Sequence, residues 1–97
     1  GPMRRQFFVY IMTNPRNTVL YTGVTNDLRA RAWRHRSGQG SKFTRRYKCT
    51  KLVYYEIFDD PSSAISREKQ IKAGSRADKI ALVEGSNPGW KDLYDGL

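Results

Sequence analysis

Two tyrosines, an arginine and a histidine carry the strongest chemical signal in this chain. Tyr10 closes the segment Phe8-Val9-Tyr10, Tyr21 opens the segment Tyr21-Thr22-Gly23, and Arg31 and His35 follow four residues apart. Two phenolic hydroxyls, a guanidinium and an imidazole suit work at a phosphodiester. They can position a water, move a proton and neutralise charge on phosphate oxygens. That chemistry requires the four to meet, so the elements between them have to be read.

Phe7 to Met12 is a continuous apolar and aromatic run of strand length. Asn14-Pro15-Arg16-Asn17 is a turn, and Thr18 to Val24, rich in β-branched and aromatic residues, is the returning strand. This hairpin brings Tyr10 and Tyr21 to one face. Thr25 or Asn26 caps a helix over about 27–36, with Leu28, Ala32 and His35 on one stripe and Arg31 beside it. Arg31 and His35 are then one turn apart. Ser37-Gly38-Gln39-Gly40-Ser41 ends the helix and opens a flexible basic loop. Leu52 to Phe58 is a third strand. Asp59-Asp60-Pro61-Ser62 starts a second helix, in which Ala64, Ile65, Glu68, Ile71 and Lys72 recur at helical spacing up to Gly74. Ser75 and Asp78 form a capping pair for a third helix that turns Ala77, Ile80, Ala81 and Val83 inward and stops at Gly85. After the turn Asn87-Pro88-Gly89-Trp90, the residues Trp90, Leu93 and Tyr94 fold the tail back. The order β-β-α-β-α-α predicts an α/β fold, a small, mainly antiparallel three-stranded sheet flanked by helices.

The 97 residues suit one domain, read as 3–97, with Gly1-Pro2 ahead of Met3 a protease-cleavage scar. No apolar run reaches membrane-spanning length and no signal-peptide pattern follows Met3. Cys49 is the lone cysteine, which makes an internal disulfide impossible and a cytoplasmic location the default expectation. The net charge of +9 is uneven: Leu28 to Tyr55 contains no Asp or Glu and half of the 18 basic residues. One reading is a solvated face that keeps the chain soluble. The sharper one is a polyanion surface, because Trp33, Phe43 and Tyr47 interleave with the charge, and this favours nucleic acid over a membrane surface. Arg29, Arg34, Lys42, Arg45, Arg46 and Lys48, with Lys72 further on, are the candidate contacts to a phosphate backbone. Phe43 and Tyr47 either stack on unpaired bases or close the core. One cysteine and one histidine cannot make a zinc site.

These residues together resemble the GIY-YIG nuclease superfamily, in particular its small single-domain members. Phe8-Val9-Tyr10 stands at the first motif and Tyr21-Thr22-Gly23 at the second. The run from Tyr21 to Arg31 matches the stretch leading to the helical arginine, and His35 follows at the family spacing. Ala64 to Lys72 matches the segment bearing the metal-binding glutamate, here Glu68, and Asn87 matches a late asparagine. Phe8 replaces the glycine of the first motif and Thr22 the isoleucine of the second.

The resemblance implies a Mg²⁺-dependent DNA endonuclease, with Mn²⁺ able to substitute, that hydrolyses phosphodiesters by direct attack of water. Tyr10 and Tyr21 would line the site and help position or deprotonate that water. Arg31 would hold the scissile phosphate, His35 would relay a proton or hydrogen-bond the water or a tyrosine, Glu68 would bind the metal and Asn87 would contact substrate or hold the site. Each residue has a structural alternative: core aromatics for the tyrosines, a solvated cation for Arg31, an incidental imidazole for His35, a salt bridge to Lys72 or Arg31 for Glu68, and a turn for Asn87. Two other readings keep the fold: a non-catalytic nucleic-acid-binding module, and a catalytic subunit whose protein partner supplies specificity. Branched, flapped, single-stranded and duplex DNA, and RNA, all remain open as substrates.

Overall fold

A computed structural model describes residues 5–97; Gly1-Pro2, read from sequence as a cleavage scar, lies outside them. Three strands form one antiparallel sheet in the order β2-β1-β3: β1 (Phe7–Thr13), β2 (Leu20–Thr25) and β3 (Lys51–Phe58). β1 is central, which is why its run reads as continuously apolar rather than alternating. The connection to β2 is built on Asn14. Its Oδ1 accepts from the Thr18 and Val19 amides at 2.8 and 2.9 Å, and its Nδ2 donates to Thr18 Oγ1 at 2.7 Å. Asn17, at φ 58°, takes the left-handed conformation that asparagine tolerates.

Side chains alternate across β1 and divide the core in two. Val9 and Ile11 join Val53, Ala64, Ile71 and Val83 on one face. Tyr10 and Met12 join Leu28, Ala32, Cys49 and Leu52 on the other. The first face is covered by α3 (Pro61–Ala73) and α4 (Arg76–Ser86), and the second by α1 (Leu28–Arg36) and the tail, which ends in a short 3-10 turn, Tyr94–Gly96. Asp27 caps α1 by accepting from the Ala30 amide at 3.1 Å, one or two residues beyond the caps expected. Asp60 caps α3 ahead of Pro61. The Ser75–Asp78 capping box of α4 is complete, because Asp reaches the Ser75 amide at 3.1 Å as the longer Glu would. Ile65, Ala77 and Ala81, expected to face inward, are exposed; Ala64, Ile71 and Val83 carry those contacts.

The expected flexible basic loop contains a helix, α2 (Lys42–Arg46), so the order is β-β-α-α-β-α-α. Ser41 caps it and Thr44 is buried beneath it. A single turn leaves too short a period to read from sequence. The tail closes the outer edge of β3: Leu93 N donates to Leu52 O at 2.7 Å, and Asp92 Oδ1 accepts from Leu52 N at 3.2 Å. Among the described residues no helix is long and apolar enough to cross a membrane.

Candidate active site

The hairpin register sets Tyr10 opposite Gly23 and Met12 opposite Tyr21. Both tyrosines therefore stand on the face covered by α1, their ring centroids 6.3 Å apart. The stripe of α1 turns His35 onto the same face, 5.7 Å from the Tyr10 ring and 5.5 Å from that of Tyr21. Tyr10 is fully buried, and its hydroxyl lies 3.0 Å from His35 Nε2. On the far side of the imidazole, Nδ1 is 3.1 Å from Thr44 Oγ1. Thr44 donates its one hydroxyl proton to Ser41 O at 3.1 Å. With that proton on Ser41 O, the hydrogen-bond network assigns His35 Nδ1–H as donor to Thr44 Oγ1 and Nε2 as acceptor from Tyr10.

Two glycines make room for this chain. A Cβ on Gly23 would stand 2.5 Å from Tyr10 Cζ and Oη, and one on Gly40 would collide with His35 Nδ1 and Thr44 Oγ1. Gly23→Ala is therefore expected to destabilise the protein by about 1–3 kcal/mol, the usual cost of overpacking a filled core. Urea denaturation measures it, and a stability equal to that of the parent would show that Tyr10 can yield.

Burial, with the Arg31 and Arg34 charges adding to it, lowers the His35 pKa from 6.5 to about 4. Burial and the neighbouring Tyr21 hold the Tyr10 phenol well above its ordinary value, against the opposing pull of Arg31. At neutral pH the pair is thus a phenol hydrogen-bonded to a neutral imidazole. The sign for folding follows. Below pH 6.5 the unfolded chain takes a proton that the folded site refuses until about pH 4. His35 therefore supports the fold fully above pH 6.5, and this support is lost as pH falls towards 4. Denaturation of the parent and His35→Gln across that window should show the variant losing less stability on acidification.

In front of the pair opens a cleft of about 280 Å³, lined by Tyr21, Arg31, Arg34, His35, Gln39, Gly40 and Ser41. Tyr10 is behind this wall rather than on it. The structure thus brings Tyr10, Tyr21, Arg31 and His35 close together, with Arg34 beside them. Ser41 and Thr44, which lock the imidazole, were not among the expected site residues; their one legible trace is the spacing of a serine cap and a threonine three residues on.

Glu68 is on α3, on the opposite side of the sheet from α1, four residues after Ala64 and three before Ile71. Its side chain is 15% exposed and pairs with Lys72 at 3.0 Å. Among the described residues no three His, Cys, Asp or Glu side chains gather as metal ligands. A lone, partly buried carboxylate is a donor set that fits Mg²⁺ or Mn²⁺, because Mg²⁺ keeps several waters and takes its remaining oxygens from substrate phosphate. Asn87 is committed to the fold: Nδ2 donates to Val53 O at 3.1 Å and Lys91 O at 2.8 Å, and Oδ1 accepts from Lys91 N at 3.0 Å. Of the expected backbone contacts, Lys42, Arg45, Arg46 and Lys48 lie on or just after α2, all exposed. Arg29 donates to Leu97 O at 3.3 Å.

A model of the GIY-YIG catalytic domain matches residues 6–81 of this chain. The UPF0213 protein of Staphylococcus saprophyticus is 40% identical over 76 residues, 78% of this chain and 92% of that protein. That of Haloquadratum walsbyi is 40% identical over 82 residues, 84% of this chain and 91% of that protein. The solution NMR structure of the UPF0213 protein BH0048 from Bacillus halodurans superposes with a TM-score of 0.57 at 31% identity, covering 91% of this chain and 93% of that one.

Proposed function

This chain belongs to the GIY-YIG catalytic-domain family and to its UPF0213 group, and on that premise we propose that it is a metal-dependent endonuclease that hydrolyses DNA phosphodiesters by direct attack of water. The observation that carries the reading is the buried 3.0 Å bond between the Tyr10 hydroxyl and a neutral His35, behind a cleft walled by Arg31 and Tyr21. Arg31 grips the scissile phosphate, its planar fork matching two phosphate oxygens. Tyr21, on the cleft wall, orients the attacking water, and the Tyr10–His35 pair fixes the wall behind it. As the new P–O bond forms, the water's proton leaves to solvent at the open cleft, because His35, its pKa lowered to about 4, does not keep a proton at neutral pH. The P–O bond to the leaving oxygen breaks, and that oxygen takes a proton from solvent. Arg31 and Arg34 offset the charge that develops on the phosphate. Glu68, which does not line the cleft, would hold Mg²⁺, and the metal would supply Lewis-acid stabilisation to phosphate oxygens. No covalent intermediate is needed.

Thr44 is a positioning residue in this scheme. Thr44→Val keeps the shape but leaves His35 Nδ1 without its acceptor. Its kcat should fall roughly 10- to 100-fold, by analogy with outer partners that orient a ligating imidazole, with KM unchanged and Thr44→Ser restoring the rate.

The direct test is cleavage of labelled single-stranded, duplex, flapped and branched DNA with Mg²⁺ or Mn²⁺, beside a chelator and Arg31→Ala. Cutting by the parent that both controls stop supports the nuclease. Salt-dependent binding without cutting favours a second reading, a nucleic-acid-binding module or a subunit awaiting a protein partner; the Lys72 ammonium against Glu68 is the observation on its side.

A further inference from the structure

The cleft does not end at Tyr21. The Phe43 ring stacks beside Tyr21 at 6.0 Å between centroids and 30° between planes. Tyr47 follows at 4.8 Å from Phe43, and the Arg46 guanidinium carbon lies 5.5 Å over the Tyr47 ring. A row of three rings and a guanidinium therefore leads from the wall of the cleft along α2. Its outer members are open: Phe43 is 43% exposed and Tyr47 41%. Of the two readings of these aromatics from sequence, closing the core does not hold, since both rings are exposed and neither belongs to a core cluster.

Charge surrounds the row. Lys42, Arg45, Arg46 and Lys48 flank it, and none of them is ion-paired among the described residues. No Asp or Glu occurs anywhere from Leu28 to Tyr55. Exposed ring faces beside unneutralised cations are what a single strand uses: cations track its phosphates and rings stack on its bases. A duplex cannot use them, because its base faces are already stacked on one another and only edges and backbone are offered.

We propose that the Phe43–Tyr47 row is a base-stacking platform that holds unpaired nucleotides of single-stranded DNA next to the scissile phosphate. This deepens the nuclease reading, on which its position beside a reacting centre rests, by assigning the substrate class. Stacking tolerates any base, so the platform selects strand structure rather than sequence.

The test is binding without divalent metal, so it stands whether or not the protein cuts. Fluorescence anisotropy would follow a labelled single strand, the same backbone with abasic sites, and a duplex, each against the parent, Phe43→Ala, Tyr47→Ala and Tyr47→Phe. Tyr47 does not touch the Tyr10–His35 pair, which keeps its variants informative if Phe43→Ala disturbs Tyr21. Each alanine variant should weaken binding of the single strand about 5- to 150-fold, the measured range for losing one stacked base. The abasic strand and the duplex should bind both variants as they bind the parent, and Tyr47→Phe should bind like the parent. Equal losses on the abasic strand or duplex, or no loss on the single strand, would overturn the platform.

Discussion

Glu68→Ala should abolish cleavage and leave DNA binding intact or slightly stronger. Glu68 is on the buried stripe of α3, where a carboxylate is costly unless paired. Its partner here is Lys72, at 3.0 Å on a helix surface where Lys72 is 53% exposed. An i,i+4 pair of this kind contributes only about 0.3–0.5 kcal/mol to the helix. The fold therefore loses little, and alanine is the better helix former. What the variant removes is the one hard oxygen donor assigned to Mg²⁺. It also removes a negative charge and frees Lys72, and both changes favour a polyanion. Parallel assays of cleavage in Mg²⁺ and of binding by anisotropy would separate the two effects. Cleavage equal to that of the parent would sink the metal-ligand assignment and leave Glu68 as a helix salt bridge.

A second large effect is expected at Arg31. Arg31→Lys keeps the unit charge, so the salt dependence of binding and the lowered pKa of His35 should both persist. It loses the two-pronged grip, because an ammonium is a point charge and a guanidinium is a planar fork. Cleavage should drop by about 10²- to 10³-fold, the range for removing one preorganised donor from a developing oxyanion, with the loss in kcat rather than in affinity. Arg31→Ala should cut no faster and, with one positive charge gone from beside His35, should raise the imidazole's pKa. A rate for Arg31→Lys within a few-fold of the parent would mean that Arg31 acts only through its charge.

Much of this protein is legible from sequence because its signals are local. The β1 run announces a central strand, since a strand buried on both faces needs no polar alternation. The Leu28–Ala32–His35 stripe brings one imidazole inward by helical spacing alone. Tyr10, Tyr21 and Arg31 then follow from a hairpin register and one helical turn. The basic, acid-free stretch from Leu28 to Tyr55 needs only counting.

Other features exist only once segments distant in the chain come together. α2 is one turn long, so periodicity cannot reveal it; what holds it is burial of Thr44 under the imidazole of another helix. That contact fixes the tautomer of His35, which no spacing encodes. The requirement for Gly23 and Gly40 is likewise steric and tertiary: each glycine leaves the volume occupied by a side chain elsewhere in the chain. Tyr10's place behind the cleft, and its raised pKa, come from burial by neighbours on three elements. Asn87 read as a candidate for the site, yet its three hydrogen bonds go to the backbone of β3 and the tail. Residue types and local periods thus determined which groups could react. Only packing decided which face the cleft, which stand behind it and in which protonation state, because burial and hydrogen-bond partners are properties of the assembled fold.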